Sequence, residues 1–136
     1  MWKIENHWWK TPALIAMATG MLACSESDGI EVEGVWTTQF ETVEEINEEQ
    51  WSFMILVDFD NDARRAITRN PDDDGFSPGT YNVLDWTPLR DDEFHYCVAG
   101  FGMESEEEAR AAEVEADATD LEEGCGGFSW THMVRQ

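Results

Sequence analysis

Basic residues are scarce in this chain. Its 136 residues include 8 lysines and arginines against 30 aspartates and glutamates, so the formal net charge is −22 at pH 7. Nucleic acids and anionic lipid headgroups select for basic patches, because a contact with them has to neutralise negative charge. The composition therefore predicts that nucleic acid is not a partner.

Long apolar runs are missing as well. The apolar stretch at residues 13–24 is shorter than the roughly 20 residues that a helix needs to cross a bilayer. A permanent membrane span is therefore the weaker interpretation. Two lysines precede the stretch, and small residues lie just ahead of Cys24. This arrangement is typical of a secretory signal that is cleaved before the cysteine.

The end of this stretch resembles the lipobox of bacterial lipoproteins, in which a cysteine is acylated and becomes the new amino terminus. Leu22, Ala23 and Cys24 carry the resemblance. In that family a serine after the cysteine, like Ser25 here, favours the outer membrane over the inner one. The resemblance implies export and a lipid anchor on Cys24 in the bacterial cell envelope. The alternative is a plain secretory peptide or short membrane tether, in which Cys24 is an ordinary cysteine.

This interpretation divides the chain into a signal peptide at residues 1–23, a lipid-proximal tether at 24–30 and one acidic domain at 31–136. Acidic segments that are disordered contain few aromatic and β-branched residues. Here tryptophan, phenylalanine and tyrosine recur from residue 36 to residue 130. We therefore expect a packed core with a strongly acidic exterior.

Only three cysteines are present. If lipid occupies Cys24, then Cys97 and Cys125 remain as an even pair in an oxidising compartment, where disulfides form and persist. The count predicts a disulfide between them. Two separate buried thiols are the alternative.

Alternation of apolar and polar residues predicts most of the secondary structure. It is clearest at residues 51–59, where Trp51, Phe53 and Ile55 share one face of a single predicted strand. The predicted strands cover residues 32–40, 42–46, 51–59, 64–69, 80–87, 93–101 and 128–134.

One helix interrupts the strands. Ser105 and Glu108 match a capping box, and an alanine-rich stretch follows to about Leu121. The sequence thus predicts an all-β fold: a small antiparallel meander or barrel of about seven strands, with one helix before the last strand. We expect this helix to cover one end of the barrel.

Two resemblances accompany this fold. Gly34 and Trp36 resemble the Gly-x-Trp signature in the first strand of lipocalin-like barrels, where the tryptophan closes one end. Most of the domain resembles a group of small bacterial lipoproteins without known activity, which share a series of short motifs in a fixed order. Those motifs lie here at residues 59–61, 85–87, 96–97 and at the Gly-Cys-Gly-Gly-Phe-Ser-Trp ending, 124–130.

The aromatic residues suggest two uses for the interior of such a barrel. They could line a pocket for one small apolar ligand, or they could fill the core completely, which is the usual case in a domain of this size. An enclosed cavity of about 300 Å³ or more would favour the ligand. The candidate lining residues are Trp36, Trp51, Phe53, Tyr81, Trp86, Tyr96 and Trp130.

Two acidic turns have the spacing of calcium ligands. In both, the closing glutamate of an EF-hand-type loop is missing, since Arg69 and Tyr81 stand in that position. A calcium-binding surface protein is therefore only an alternative function, and we predict no metal and no cofactor. The weak candidates for ligands are Asp58, Asp60, Asp62, Asp72 and Asp74.

Catalytic motifs are also absent from the sequence of the predicted domain. His95 and His132 are its two histidines, and neither belongs to a recognisable nucleophile or metal motif. We therefore expect a non-enzyme: a lipid-anchored envelope protein that acts as a binding or interaction module, with an unknown envelope protein or a small apolar ligand as its partner. The alternative is a lipocalin-like carrier of a small hydrophobic ligand.

Overall fold

The computed structural model describes residues 29–136, so that Cys24 and the predicted signal peptide at residues 1–23 lie outside the described residues. The elements in chain order are β1 (Gly34–Thr38), β2 (Val43–Ile46), β3 (Gln50–Trp51), β4 (Met54–Asp60), β5 (Arg65–Arg69), β6 (Tyr81–Trp86), β7 (Glu93–Met103), α1 (Glu106–Ala111) and β8 (Thr131–Arg135). Consecutive strands pair antiparallel, and β1 pairs with β8, which closes the barrel. The predicted all-β antiparallel barrel with one helix before the last strand is confirmed, with eight strands instead of about seven.

The additional strand comes from a turn inside the predicted strand at residues 51–59. Trp51 pairs directly with Met54, so Ser52 and Phe53 form a two-residue hairpin loop. Ser52 has φ 59°, a left-handed conformation that non-glycine residues rarely adopt. The prediction of one continuous strand is therefore wrong. Because Met54 and Leu56 are as apolar as Phe53 and Ile55, the alternation of this stretch did not reveal the turn.

The barrel interior is filled by apolar side chains, many of them aromatic. The Trp51 ring contacts three other rings, with centroids 5.8 Å from Trp86, 6.4 Å from Phe94 and 5.0 Å from Tyr96. Such pairs contribute about 0.5–1.5 kcal/mol each beyond the burial of their surface. The buried residues of this interior core are Ile30, Val32, Trp36, Ile46, Trp51, Met54, Leu56, Ala66, Leu84, Trp86, Phe94, Tyr96 and Met133.

A second, smaller core lies on the outer face of β5, β6 and β7, under α1. Ala109 of the helix packs there against Ile67, Val83 and Met103. The helix therefore covers the side of the barrel, and the expectation that it covers one end is wrong. No helix within residues 29–136 is long and apolar enough to cross a membrane.

Helix α1 is also shorter than predicted. Ser105 is its N-cap, as the sequence indicates, and accepts a hydrogen bond from the Glu108 amide at 3.0 Å. The helix ends at Ala111, because the next residues are extended, with Ala112 and Val114 partly buried against the outer core and Glu113 exposed. Burial at every second residue is the period of a strand, and the prediction of a helix up to about Leu121 is wrong.

The last strand also differs from its prediction at residues 128–134. In β8 (Thr131–Arg135) it is Met133 that is fully buried and belongs to the interior core. The alternating residues Phe128, Trp130, His132 and Val134 are therefore not the face that fills the barrel.

The closed meander gives the barrel two distinct ends. The base is formed by the first described residues and by three turns, at residues 29–33, 47–49, 61–64 and 87–92. The rim is formed at the opposite end by the remaining connections, at residues 39–42, 52–53, 70–80 and 104–130.

The chain closes the base with its own first residues. Ile30 and Val32 are buried, and the Val32 carbonyl accepts a hydrogen bond from Trp36 Nε1 at 3.0 Å. Asn61 holds the same segment, because its Oδ1 accepts from the Glu31 amide at 2.8 Å and its Nδ2 donates to the Gly29 carbonyl at 3.0 Å. The domain therefore begins at the base, where Trp36 is hydrogen-bonded to its first residues.

Candidate functional site

Phenylalanine side chains collect at the rim and point into solvent. Five of them, here called the rim phenylalanines, are between 61% and 96% exposed, while Phe94 in the interior core is only 2% exposed. Soluble domains rarely expose several large apolar side chains together unless the surface binds something. The rim is therefore the candidate functional site. Its phenylalanines are Phe40, Phe53, Phe76, Phe101 and Phe128.

The first feature of the rim is an open cleft at the barrel mouth, here called the mouth cleft. Its volume is about 250 Å³, and Phe53 and Phe76 stand at its edge. Phe53 comes from the β3–β4 turn and Phe76 from the β5–β6 loop. The complete lining is Phe53, Met54, Asn70, Asp74, Phe76, Ser77, Asn82, Tyr96 and Val98.

A buried polar network forms the floor of the mouth cleft. Asn82 Nδ2 donates to Thr68 Oγ1 at 3.1 Å and to Asn70 Oδ1 at 3.0 Å. Asn70 Nδ2 in turn donates to the Ser77 carbonyl at 3.1 Å. These bonds connect the barrel interior to the β5–β6 loop, because Asn70 and Ser77 belong to that loop. Buried amides that are hydrogen-bonded in this way fix the conformation of their surroundings.

The β5–β6 loop holds Phe76 in place by further local bonds. Asp74 Oδ2 accepts hydrogen bonds from the amides of Phe76 at 3.0 Å and of Ser77 at 2.8 Å. An aspartate that bonds the amides of the residues after it stabilises a turn. Phe76 is therefore presented to solvent by an ordered turn, which reduces the entropy lost when a partner covers it.

A second cleft, here called the side cleft, opens where β8 separates from β7. The pairing of these strands ends at Tyr96 and Thr131, although β7 continues to Met103. The resulting gap has a volume of about 250 Å³. Its lining comprises Tyr96, Cys97, Val98, Ala99, Phe101, Cys125, Gly126, Phe128, Ser129 and Thr131.

The predicted disulfide joins the two walls of the side cleft. Cys97 of β7 is bonded to Cys125, with their Cα atoms 5.6 Å apart and 28 positions apart in the sequence. The prediction of this pairing is confirmed. Because the bond holds the segment of Phe128 against β7, it keeps Phe101 and Phe128 on the same cleft.

The two clefts meet at Tyr96 and Val98, which line both. Tyr96 is buried, and its hydroxyl donates to Glu44 Oε1 at 3.0 Å. Burial raises the pKa of the Glu44 carboxyl, and this effect exceeds the opposing one of the Tyr96 hydrogen bond. Burial, together with the charge of Glu44, also raises the pKa of the Tyr96 phenol. The hydroxyl therefore remains a donor at neutral pH.

Acidic side chains stand among the rim phenylalanines. Glu41 follows Phe40, the run 72–74 of three aspartates precedes Phe76, and Glu104 follows β7, all at the rim. Arg69, at the rim end of β5, is paired with Asp72 at 2.7 Å. The rim thus combines exposed aromatic rings with an excess of negative charge.

The predicted lining aromatics divide among several places. Phe53 and Tyr96 line the mouth cleft. Trp36, Trp51 and Trp86 fill the interior core, Tyr81 packs on the outer core, and Trp130 is buried apart from both cores.

Several residues of the rim were missed by the sequence interpretation, and Phe76 is the clearest of them. It lies in a loop rich in aspartate, proline and glycine, where no apolar residue is needed for folding. A large aromatic residue in such a loop was a signal that could have indicated a binding surface. The other missed residues are Phe40, Phe101, Phe128, Asn70 and Asn82.

The calcium candidates are engaged in ordinary turns and ion pairs. Asp58 pairs with Arg110 at 2.8 Å, and Asp60 Oδ1 accepts from the amides of Asp62 at 2.9 Å and Ala63 at 3.2 Å. Asp72 pairs with Arg69, and Asp74 caps its own loop. Within residues 29–136, no three histidine, cysteine or acidic side chains are grouped so that they could hold a metal ion.

The two histidines of residues 29–136, His95 and His132, lie opposite each other on β7 and β8, outside the clefts. Their rings stack with centroids 4.5 Å apart, and His132 Nε2 is 2.8 Å from Glu93 Oε1. Burial, followed by the charge of His132, lowers the pKa of His95.

No family model, curated protein or solved structure matches this chain.

Proposed function

We propose that this protein is a lipid-anchored binding module of the bacterial cell envelope, which binds an envelope protein through its rim. The observation that carries the proposal is the position of the rim phenylalanines, at the end of the barrel opposite to the end where the domain begins. The exported and anchored location is supported by the lipobox resemblance around Cys24, and Ser25 favours the outer membrane.

The short segment between Cys24 and the base limits how far the domain can lie from the membrane. Ile30 is buried at the base, and six peptide units separate it from Cys24. Fully extended, they span roughly 20 Å, at about 3.3–3.6 Å per residue. With lipid on Cys24, the base stays close to the membrane and the rim faces away from it. The exposed rings are then available to a partner across the adjoining space.

The chemistry of the clefts supports binding more than catalysis. Their linings contain no histidine that could act as a base near neutral pH. They offer aromatic rings, backbone groups and a few fixed polar side chains, which suit recognition of another surface. We therefore propose a role without enzymatic activity and without a bound cofactor.

A carrier of a small apolar ligand is the second candidate function. The mouth cleft supports it, because Phe53, Phe76 and Val98 give it an apolar wall. The interior core argues against deep binding, since Trp51 and its neighbouring rings fill the space below. A thermal shift with medium-chain fatty acids, lost in a Phe53→Ser variant, would favour the carrier over the binding module.

Site-specific photo-crosslinking tests the binding module. A photoreactive phenylalanine analogue replaces Phe76 at the rim in one strain and Ala63, which is exposed at the base, in a matched control strain. After irradiation of intact cells, we expect one discrete protein adduct from position 76 and none of the same size from position 63. Equal adducts from both positions, or lipid adducts from position 76, would contradict the proposal.

Cell fractionation tests the anchor separately. The Cys24→Ala variant removes the proposed acylation site, so we expect it to leave the membrane fraction that holds the wild-type protein after an alkaline wash. A Ser25→Asp variant serves as the control that keeps the cysteine and should remain membrane-bound, with a shift towards the inner membrane. Retention of the Cys24→Ala protein in the washed membranes would exclude the lipid anchor.

A further inference from the structure

We infer that the rim binds a cationic amphipathic protein segment, in which lysine or arginine side chains alternate with apolar ones. The inference rests on the proposed function, since it specifies the chemistry of the partner that the rim receives. It follows from the placement of carboxylates and phenyl rings in the rim turns.

Acidic groups and phenyl rings occur together in separate connections of the rim. Glu41 is adjacent to Phe40 in the β1–β2 turn, Asp73 and Asp74 lie close to Phe76 in the β5–β6 loop, and Glu104 follows the strand that carries Phe101. A partner that covers these rings must therefore come close to the carboxylates. Burying unpaired charge at an interface is costly, so a binding partner needs complementary positive charge.

Three carboxylates of the rim have no cationic partner among the described residues. Glu41, Asp73 and Glu104 are exposed, and none forms an ion pair with an arginine or histidine of residues 29–136. Arg64, Arg90 and Arg135 lie at the base, at the opposite end. At the rim Arg69 is paired with Asp72, so the charges of Glu41, Asp73 and Glu104 are compensated only by solvent ions until a partner arrives.

The alternating arrangement also selects the type of side chain. Lysine and arginine can lay their aliphatic stems or their cationic groups on exposed phenyl rings, while their charged ends reach neighbouring carboxylates. Apolar side chains of the same segment can then enter the mouth cleft between Phe53 and Phe76 or the side cleft between Phe101 and Phe128. An anionic membrane surface or a second acidic rim would instead be repelled.

The test uses the full-length protein as purified from its host and three fluorescein-labelled peptides of twelve residues. The first alternates lysine with leucine, the second replaces each lysine by glutamate, and the third replaces each leucine by serine. Fluorescence anisotropy measures Kd for each peptide. We expect binding of the first peptide only, with weakening as the salt concentration rises.

Matched charge variants separate the rim from the overall charge of the protein. The rim variant combines Glu41→Gln, Asp73→Asn and Glu104→Gln, one in each of three rim connections. The base variant combines Glu48→Gln, Asp62→Asn and Asp91→Asn, one in each of three base turns. Both remove three exposed carboxylates, so their net charges are identical.

We expect the rim variant to raise Kd for the lysine–leucine peptide about tenfold, because three charge contacts are lost together. The base variant should change Kd by less than about twofold. A double variant, Phe76→Ser with Phe128→Ser, should also weaken binding about tenfold, because it removes apolar contacts at both clefts. Equal weakening by the rim and base variants, or no effect of the double variant, would overturn the inference.

Failure of the peptide-binding test can be distinguished from failure of the proposed function. If no peptide binds while position 76 still crosslinks to one envelope protein, the rim remains the interface and the inferred chemistry of the partner is wrong. If the peptide instead binds with the expected dependence on rim charge and rim rings, the inference is supported. Preferential binding of phosphatidylcholine vesicles, or self-association in sedimentation experiments, would overturn it.

Discussion

The guanidinium carbon of Arg135 lies 4.4 Å from the ring centroid of Trp36. Trp36 belongs to the first strand and Arg135 to the last, so this contact joins the two strands whose pairing closes the barrel. The Trp36 ring also packs edge-to-face with the Phe94 ring, with centroids 4.7 Å apart. Asp92 fixes the arginine, because its Oδ1 accepts from Arg135 Nε at 2.9 Å. At the base, the Arg135 cation thus contacts both the Trp36 indole and the Asp92 carboxylate.

The Arg135→Ala variant should lower the free energy of unfolding by about 1–2 kcal/mol, since it removes a cation–π contact over a buried indole together with an exposed ion pair. Equilibrium unfolding in urea measures the change. Arg90→Ala, at an exposed position of the same end, is the control and should cost less than about 0.5 kcal/mol. Equal effects of the two substitutions would show that the contact with Trp36 adds no stability.

Gly34 should be energetically coupled to Arg135. A Cβ atom at Gly34 would lie only 2.5 Å from Arg135 Nη1, and the glycine has φ 150°. Gly34→Ala should therefore destabilise the protein by about 1–3 kcal/mol, because alanine is strained at this φ and its Cβ atom would displace the end of the Arg135 side chain. In the Arg135→Ala background the clash is absent, and the cost should fall by at least about 0.5 kcal/mol in a double-mutant cycle. Simple additivity of the two substitutions would contradict this prediction.

The Cys97–Cys125 bond should stabilise the domain by shortening the free chain of the unfolded state. With a sequence separation of 28, the chain-entropy relation gives about 3–4 kcal/mol. Urea unfolding of the double variant Cys97→Ser, Cys125→Ser should show this loss relative to the oxidised wild type. The reduced wild-type protein is the control, because it keeps both sulfur atoms and lacks the crosslink. It should approach the double variant and not the oxidised protein.

Glu44 should make stability fall with rising pH. Because burial raises its pKa in the folded state, the folded protein retains the proton above the ordinary value of 4.5, where the unfolded chain releases it. The free energy of unfolding therefore decreases as the pH rises from that value through the pKa of the folded state. The Glu44→Gln variant lacks this contribution and keeps an acceptor for Tyr96.

Chemical denaturation at a series of pH values checks this sign. The stability of Glu44→Gln relative to wild type should rise above pH 4.5 and level off once the half-buried carboxyl of Glu44 is ionised. Repetition in 1 M salt is the control, since salt screens repulsion between exposed carboxylates and has little effect on a desolvation cost. A difference that disappears in salt, or that has the opposite sign, would contradict the prediction.

The sequence predicted most of the strands because apolar residues recur in them at the spacing of a strand. In β6, Leu84 and Trp86 face the interior core and Val83 faces the outer core, and in β7 Phe94 and Tyr96 face inward. Such faces follow from the period of two along a strand. They are readable wherever one face is clearly more apolar than the other.

Two errors arose where the local pattern was ambiguous. At Ser52 the hairpin loop needs a left-handed residue, but the sequence there has none of the usual glycine or asparagine signals. After Ala111, alternating alanine and glutamate suit a helix by composition, while the outer core buries every second residue of the segment. Tertiary contacts decided both cases, and neighbouring residues alone do not contain that information.

The candidate site was mostly hidden from the sequence for a related reason. Four of its phenylalanines belong to different connections of the rim and Phe101 lies at the rim end of β7, and only closure of the barrel brings these positions to one end. The sequence predicts Phe53 as a lining residue because, in one continuous strand, it would share the face of Trp51. It lines a cleft at the mouth instead, because the turn at Ser52 moves it to the rim.

The rim phenylalanines should be dispensable for folding, which separates a binding role from a structural one. Phe76 is 96% exposed, so Phe76→Ser removes almost no buried surface and should change the free energy of unfolding by less than about 0.5 kcal/mol. Phe94→Ala, at a fully buried ring in the interior core, is the matched comparison and should cost about 3–5 kcal/mol. Urea unfolding measures both. A large loss of stability in Phe76→Ser would mean that the β5–β6 loop needs this ring for folding, and the case for a binding surface at the rim would lose its physical basis.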